Sequence, residues 1–425
     1  MVLGFTGIVP VSIIGILSVI LLVFGAEIVV SKMEAVAKYF GISEVVIAVT
    51  VVSIGTSLPE IILHWVGSTQ IVLSSGAPLK FLLIDPVATF FGSHTEVLDL
   101  MVQQGHITSQ TANSSTEFLQ QTSGAVMGTS IGSDVVQETL VMGLVIISSA
   151  FMAGKNGFKF SRKFLIRDYA PMMVTTLITL ILALNWKGII SFFSGGPLNL
   201  TGTLTRFDGL VLFLSFVLYL IYLFTTRKEE MAEQGDFSAS KRPLFDLFIG
   251  IGAMVLVIGS AEIILRVVEL SVRQTGLSGS MVGVAVIGLI SAFPELITAV
   301  SGLRHGSEGI SLGTLVGSNI TNPLLAIGGG AMISSYAVPR PLVLWDLPME
   351  TLLAGIPVIY MFSKERLGSI IAPLFRKIGL NSIAEKLESA ENMKLSIAGA
   401  VVLILLYFVY LYVRFTYFQY DFASN

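Results

Sequence analysis

The stretch that decides the fold begins at Gly41-Ile42-Ser43 and ends at Gly55-Thr56-Ser57-Leu58-Pro59-Glu60, within an otherwise apolar segment. A related stretch begins at Gly276-Leu277-Ser278 and ends at Ser291-Ala292-Phe293-Pro294-Glu295. The two stretches have the same length and lie 235 residues apart. Self-similarity at a fixed long offset indicates an internal repeat. The chain is therefore predicted to consist of two related halves.

A second pair of blocks extends the repeat. Gly128-Thr129-Ser130-Ile131-Gly132-Ser133 resembles Gly313-Thr314-Leu315-Val316-Gly317-Ser318 at an offset of 185 residues. The smaller offset means that the first half carries 50 extra residues between its two blocks. We predict that they form an outward insert over 67–122, with a short helix at Thr95–Gln104.

The composition is that of a membrane protein. Of the 425 residues, 53% are hydrophobic and 12% are charged, whereas soluble domains carry about 25% charged residues. Apolar runs of about 20 residues favour membrane-spanning helices over a barrel. The chain has no cysteine, so it has neither disulfides nor a thiolate metal site. We predict an all-α integral membrane protein with ten helices, near 8–31, 43–66, 124–152, 166–186, 207–226, 244–268, 279–303, 309–334, 343–363 and 395–416.

The predicted helices form two five-helix halves, over 1–226 and 244–425, joined by an inward linker at 227–243. Because five is odd, the second half enters the membrane from the opposite side, which makes the repeats inverted. With both termini outside, 18 of the 25 Lys and Arg residues lie in inward segments and six in outward ones, as the positive-inside rule requires. Residues 364–393 are expected to lie as interfacial helices on the inner surface.

The two Pro-Glu motifs are the candidate functional residues. Proline removes a backbone donor and strains the preceding turn, so predicted helices 2 and 7 should break at Pro59 and Pro294. An acidic side chain inside the membrane indicates a functional site, and inverted repeats place such sites at the midplane. Glu60 and Glu295 are therefore expected to face each other at the centre.

The ligand set suits Ca2+, which takes six to eight oxygen ligands. Two bidentate glutamates supply four oxygens, and the backbone carbonyls of Thr56 and Ser291 can supply two more. The two carboxylates also neutralise one divalent cation, which lowers the free energy of burying it. No histidine pair or thiolate indicates a softer transition metal.

The motifs resemble the two alpha-repeats of the Ca2+/cation antiporter superfamily, and most closely its prokaryotic sodium/calcium exchanger branch. The likeness rests on the paired Pro-Glu motifs and on Gly317-Ser318-Asn319-Ile320. It implies a secondary active antiporter that works by alternating access. It also implies that Glu60, Glu295, Thr56 and Ser291 bind Ca2+, and that the coupling ion is held by Ser57, Ser133 and Ser318.

The sequence departs from this family at three positions. Ala292 stands where the first motif has the hydroxyl of Ser57, and Gln137 and Asn322 stand where the sodium-coupled branch usually has Asn and Asp. Fewer charges weaken a site for three Na+ ions. The predicted function is Ca2+ exchange for Na+, and the alternative is H+/Ca2+ exchange through protonation of the same two glutamates.

Two other protein classes, an intramembrane hydrolase and a cation channel, agree less well with the motifs. An intramembrane hydrolase would use an aspartate pair with a Gly-x-Gly-Asp signature, which is absent, and a channel would not need duplicated Pro-broken helices. We expect no enzymatic activity, no cofactor, and no nucleotide or nucleic-acid partner. We expect a monomer in the lipid bilayer of a prokaryotic cell membrane.

Three further polar residues lie beside the motifs. Asp134 and Glu138 are rotated away from Ser133 and Gln137 by about 100°, which favours polar neighbours over a second cation or proton site. His64 lies one helical turn beyond Glu60 and either tunes that carboxylate or has no role. The glycines near 124–133 and 311–318 are expected to permit close helix packing.

Overall fold

The computed structural model describes residues 8–39, 53–153, 158–196, 201–226, 242–304, 308–359, 362, 376 and 392–422. These residues are mostly helical. Helices run over Ile8–Tyr39, Ser53–Thr56, Leu58–Ser74, Pro78–Leu83, Pro86–Phe91, His94–Gln103, Ser109–Val136, Met142–Ala153, Arg162–Phe164, Ala170–Ala183, Trp186–Phe193, Arg206–Thr226, Pro243–Thr275, Gly279–Val282, Gly288–Ser291, Phe293–Arg304, Glu308–Thr321, Gly328–Ile333 and Ile397–Tyr417. Turns of π-helix cover Gln137–Val141, Leu165–Tyr169, Gly283–Ile287, Asn322–Ile327 and Leu342–Asp346.

Eight helical segments in the described part of the chain are long and apolar enough to cross a membrane. They match eight of the ten predicted segments in position. They are Val9–Val29, Ser109–Met152, Leu165–Ala183, Arg206–Leu223, Pro243–Thr275, Gly279–Val300, Leu342–Ile359 and Ile397–Tyr417.

The other two predicted segments are not among these eight. The segment 43–66 is described only from residue 53, where a short helix and a longer one follow each other. The segment 309–334 is helical from Glu308 to Ile333 through its π-helical turn. It is rich in serine, threonine and asparagine, which lowers its hydropathy.

The segment predicted as an outward insert over 67–122 is smaller and more helical than predicted. The helix Leu58–Ser74 extends beyond position 67, and the next long helix begins at Ser109 rather than near 124, because the Thr108 hydroxyl caps its first turn. The short helix predicted at Thr95–Gln104 is present as His94–Gln103 and begins with a capping box between Ser93 and Glu96. Hydropathy does not distinguish polar helical turns from loops. The predicted helix end near 66 and the predicted helix start near 124 were therefore wrong.

The insert has a small hydrophobic core of its own, which includes Phe81, Leu98 and Met101. The Phe81 ring packs against the buried His94 ring and under the Arg206 guanidinium, 5.4 Å from its centroid. Burial and the charge of Arg206 lower the pKa of His94 to about 3, so that ring is neutral. The insert is therefore a folded cap rather than a loose loop.

Two short antiparallel strand pairs were not expected from the sequence. Phe158–Ser161 pairs with Asn392–Leu395, and Gly202–Leu204 pairs with Tyr336–Val338. Each pair joins residues more than 100 positions apart, so the pairing cannot be predicted from a local sequence pattern. The predicted linker 227–243 and the predicted interfacial segment 364–393 lie almost wholly outside the described residues.

The helix Ser109–Val136 lies at the centre of the bundle and packs against Leu58–Ser74 and against the segment from Gly279 to Ser291. Close approach depends on glycine. A Cβ atom at Gly128 would lie 2.6 Å from the Ser280 carbonyl oxygen, and one at Gly132 would lie 2.6 Å from the Val284 Cα. The close packing predicted for the glycines near 124–133 is confirmed, whereas at Gly313, in the second predicted set, no atom lies within 4 Å of an added Cβ.

This contact gives a stability prediction. Gly132→Val should lower the thermal unfolding midpoint of the purified protein, because overpacking against backbone costs about 1–3 kcal/mol. Gly259→Ala is the control, since no atom lies within 4 Å of the added Cβ and alanine favours helix. Equal midpoints for Gly132→Val and the unaltered protein would contradict the packing described here.

Candidate functional site

Both Pro-Glu motifs interrupt their helices. One helix ends at Thr56 and the next begins at Leu58, with Ser57 between them. In the second motif a helix ends at Ser291 and the next begins at Phe293. Proline fits the first turn of a helix, where the missing N–H has no partner. The predicted breaks at Pro59 and Pro294 are therefore confirmed.

The breaks create a favourable electrostatic setting for a cation. The last carbonyl groups of a helix lack intrahelical partners and carry partial negative charge. Thr56 and Ser291 stand at these C-terminal ends. Glu60 and Glu295 lie in the first turn of the following helices. At each break a helix C-terminus thus lies within about one helical turn of a glutamate along the chain.

Both carboxylates are completely buried, and each accepts a hydrogen bond from a serine hydroxyl of the other repeat block in its own half. The Ser133 hydroxyl donates to Glu60 Oε1 at 3.1 Å, and the Ser318 hydroxyl donates to Glu295 Oε1 at 3.1 Å. The second carboxylate oxygens, Oε2 of Glu60 and of Glu295, have no hydrogen-bond partner. No basic side chain pairs with either carboxylate in the described part of the chain. Two buried acceptors thus remain free to bind a cation.

A chain of hydrogen bonds joins the two carboxylates. The Gln137 amide nitrogen donates to the hydroxyls of Ser133 at 3.1 Å and of Ser318 at 3.2 Å. Glu60 and Glu295 are thereby linked through Ser133, Gln137 and Ser318. The two motifs, far apart in sequence, meet at one place.

Two further predicted residues lie at this place. The Ser57 hydroxyl lies 2.9 Å from that of Ser318, so the first Pro-Glu motif contacts the second half of the chain. Ser291 lies beside the Glu60 carboxylate and donates to the Gly288 carbonyl at 3.3 Å. Seven of the nine predicted side chains are thus brought together: Ser57, Glu60, Ser133, Gln137, Ser291, Glu295 and Ser318. Thr56 adjoins Ser57 through its backbone.

Asn322 has a different orientation from the one that its motif suggests. Its amide nitrogen donates to Asp134 Oδ1 at 2.7 Å, and its carboxamide oxygen has no hydrogen-bond partner. It therefore contacts a carboxylate on the other face of the Ser109–Val136 helix. Gln137 and Asn322 each begin a π-helical turn, a feature frequent at functional sites that the sequence did not reveal.

The polar residues beside the motifs have polar neighbours, as expected. Besides the Asp134–Asn322 contact, Glu138 accepts from the Asn319 amide at 3.4 Å. His64 is buried, and its two ring nitrogens lie 3.0 Å from the Tyr336 hydroxyl and 2.9 Å from that of Ser130. Both nitrogens are therefore engaged away from Glu60.

Sequence reasoning missed three residues. Glu350 is 1% exposed, and neither carboxylate oxygen has a hydrogen-bond partner. A lone acid two residues after Pro348 in an apolar span was a signal that the rule on intramembrane carboxylates would have detected. Asn319 was noted only as part of the motif Gly317-Ser318-Asn319-Ile320 and was given no role. Tyr336 carried no signal, because its contacts depend on the pairing of distant strands.

The chain is similar to one protein family and to several known membrane proteins. A family described as sodium/calcium exchanger protein matches residues 11–74, 81–225 and 245–416. The inner membrane protein YrbG of Escherichia coli is 24% identical over 331 residues, 75% of this chain and 78% of its own. The sodium/calcium exchanger MaX1 of Methanosarcina acetivorans is 21% identical over 377 residues, 81% of this chain and 89% of its own.

A similar fold occurs in a solved structure. The crystal structure of the H+/Ca2+ exchanger CAX superposes with a TM-score of 0.51 and 17% identity, and it covers 95% of this chain and 82% of the exchanger. At this identity the likeness concerns the fold. The chain has the fold of a multi-pass membrane exchanger.

The His64 network gives a second stability prediction. Tyr336→Phe removes the hydroxyl that lies 2.6 Å from the Ser68 hydroxyl and 3.0 Å from His64. Leaving buried polar groups unpaired should cost about 1–3 kcal/mol, seen as a lower thermal midpoint in detergent. Tyr412→Phe, at a side chain 66% exposed, should leave the midpoint unchanged. Equal effects of both substitutions would argue against the network.

Proposed function

The chain belongs to the sodium/calcium exchanger family, and from this membership we propose that it exchanges Ca2+ for Na+ across a membrane by alternating access. Members of this family are transporters rather than enzymes. The observation that carries the proposal is the hydrogen-bonded chain Glu60–Ser133–Gln137–Ser318–Glu295, which joins the two motifs. It brings two unpaired carboxylates to one buried place, as a divalent cargo requires.

In this proposal Ca2+ binds between Glu60 and Glu295, through their free oxygens and the backbone carbonyls of Thr56 and Ser291. Two carboxylate charges balance one Ca2+, so the loaded site is neutral and can cross the low-dielectric interior. The hydroxyls of Ser57, Ser133 and Ser318 keep the carboxylates in place. They also serve as neutral ligands for the coupling ion, together with the side-chain oxygens of Gln137 and Asn322.

The alternating-access step follows from the proposed architecture. We propose ten membrane helices in two inverted five-helix repeats, over 1–226 and 244–425, with the Pro-broken helices at the centre. Inverted repeats can rock against each other around a fixed central site. The protein is proposed to work as a monomer in a prokaryotic cell membrane, with both termini outside.

The second candidate is exchange of Ca2+ for H+ through the same two glutamates. It is favoured by the neutral amides of Gln137 and Asn322. A carboxylate at either position would add the negative charge that stabilises bound Na+. Two carboxylates can release Ca2+ when two protons replace it. The Na+ proposal rests on the hydroxyl and carboxamide oxygens around the carboxylates, which suit Na+ as neutral ligands.

Transport assays test both proposals. In proteoliposomes, 45Ca2+ uptake should be driven by an outward Na+ gradient and respond little to a pH gradient alone. Uptake driven by a pH gradient without Na+ would replace the first proposal by the second. Uptake that needs no counter-ion gradient, and that persists in Glu60→Gln, would exclude an antiporter at this site.

Loss of one carboxylate should abolish Ca2+ binding. Glu295→Gln keeps the shape of the side chain and its contact with Ser318 but leaves a single charge to balance Ca2+. We expect a loss of affinity of at least about 100-fold by calorimetry, with the fold retained. Glu117→Gln, in the exposed start of the Ser109–Val136 helix, is the control. Unchanged affinity in Glu295→Gln would reject the site.

A third carboxylate should alter the coupling ion. Asn322→Asp places a negative charge against Asp134, where the present amide nitrogen donates at 2.7 Å. The repulsion between like charges can be relieved by another cation, so transport should become more steeply dependent on Na+. We expect the apparent Na+ affinity of 45Ca2+ exchange to rise. An unchanged Na+ dependence would contradict this account of position 322.

A further inference from the structure

The side chain of Arg414 is completely buried near the end of the last described span, Ile397–Tyr417. An ionisable side chain inside a membrane-spanning helix indicates a function by default. The guanidinium pairs with Asp346 at 2.9 Å, and the other oxygen of that carboxylate accepts from the Tyr410 hydroxyl at 2.7 Å. The exchange proposed above gives none of these residues a role.

Arg414 also holds the residues that follow the span. Its guanidinium donates to the Phe418 carbonyl and lies 4.0 Å from the Asp421 carboxylate. The backbone N–H of Arg340 donates to the Asp421 carbonyl at 3.0 Å. Residues 418–422, which we call the post-span segment, are therefore folded back against the bundle, and Asp421 is only 7% exposed.

The Asp421 carboxylate binds the start of the interrupted helix of the second half. One of its oxygens accepts from the Ser280 backbone N–H at 2.9 Å, and the other accepts from the Ser280 hydroxyl. The Arg414 guanidinium donates to the same hydroxyl. Ser280 lies in the first helical turn, Gly279–Val282, where backbone N–H groups lack intrahelical partners and a negative charge is stabilising. We call this arrangement the Asp421–Ser280 clamp.

The clamp also contacts the central helix Ser109–Val136. A Cβ atom at Gly124 of that helix would lie 2.7 Å from Asp421 Oδ2 and 3.1 Å from the Ser280 backbone nitrogen. Glycine at this position therefore leaves the room that the carboxylate occupies. The central helix packs along the whole helical segment 279–291, so the clamp fixes the start of a segment that is already supported along its side.

The clamp bears on the central site because the segment 279–291 ends there. Ser291 lies about three helical turns beyond Ser280 and beside the Glu60 carboxylate. Its helix ends at that residue, and Glu295 lies in the first turn of the next helix. A rotation or shift at the start of a helix is transmitted to its end. The position of Ser280 therefore influences the position of the Ser291 carbonyl.

We propose that Asp421 and Arg414 are positioning residues for Ca2+ binding, which fix the helix carrying Ser291 by holding its start at Ser280. This role rests on the proposed exchange, in which the Ser291 carbonyl is a Ca2+ ligand. Binding groups must be held within about 0.5 Å of their productive geometry, so a loosened helix lowers affinity. The first half cannot repeat the hydroxyl contact, because the counterpart of Ser280 at the offset of 235 residues is Val45.

Ca2+ affinity tests the clamp. Asp421→Ala in the full chain should lower the affinity measured by calorimetry about tenfold, a size typical of substitutions in a contact network that do not touch the ligand. Asp421→Asn keeps an acceptor for Ser280 and should stay within about threefold. Gln419→Ala, at an exposed side chain of the same segment that donates to the Phe415 carbonyl, is the control and should leave affinity unchanged. A lower thermal midpoint with unchanged Ca2+ affinity in Asp421→Ala would overturn the proposal.

A distance measurement tests the clamp without Ca2+. The chain has no cysteine, so spin labels can be attached at Val286→Cys in the clamped segment and at Leu218→Cys in the helix Arg206–Thr226. These side chains are 47% and 65% exposed. Adding Asp421→Ala should shift or broaden the distance distribution between the labels, whereas adding Gln419→Ala should leave it unchanged. An unchanged distribution with Asp421→Ala would overturn the clamp.

The positioning role and the exchange site fail in different ways. Unchanged Ca2+ affinity in Glu295→Gln would reject the exchange site, and with it the role that rests on it. Lost affinity in Glu295→Gln beside unchanged affinity in Asp421→Ala would overturn the positioning role alone. If Asp421→Ala does not fold, Ser280→Ala removes only the hydroxyl contact and should change affinity and label distance in the same direction. Unchanged values of both in Ser280→Ala would then overturn the proposal.

Discussion

The structure depends on the burial of two carboxylates, Glu60 and Glu295, that pair with no basic side chain among the described residues. Placing Glu60 and Glu295 inside an apolar bundle is unfavourable unless the surroundings stabilise their charge. The chain stabilises it with elements that are neutral overall: helix breaks, serine hydroxyls and the Gln137 amide. One oxygen of each carboxylate remains unpartnered. Because a cation or protons would satisfy these oxygens, we propose a binding site here rather than a structural ion pair.

Related positions in the two halves do not behave alike. Gln137 and Asn322 both begin a π-helical turn, yet Gln137 bridges the two serines of the site, and Asn322 turns toward Asp134. Likewise Ser57 contacts Ser318, whereas its counterpart Ala292 has no hydroxyl to offer. The duplication therefore builds the paired carboxylates symmetrically, and their surroundings asymmetrically. The two halves therefore offer different side-chain groups at related positions.

Structural features that depend on residues close together in sequence were predicted correctly, and those that depend on distant residues were not. The Pro59 and Pro294 breaks and the positions of eight spans came from patterns within a few residues or within one helix length. The start of the long helix at Ser109 and the two strand pairs were missed, because they depend on a cap, on polar turns and on partners far along the chain. Glu350 was missed for a different reason: its signal was present, but the prediction relied on residues that recur in both halves, and no counterpart of Glu350 was identified in the first half.

The amino-acid pattern alone indicates a helical membrane protein with two related halves, and it predicts Glu60 and Glu295 as candidate ligands. Hydropathy, proline and duplication are local or periodic properties, so they can be read without coordinates. Only the tertiary structure decided that Gln137 connects the two halves of the site and that Asn322 faces Asp134. It also decided that Asn319 contacts Glu138 and that both carboxylate oxygens of the buried Glu350 lack a hydrogen-bond partner. These contacts join helices far apart in the chain, and their geometry depends on how closely glycine lets the helices approach.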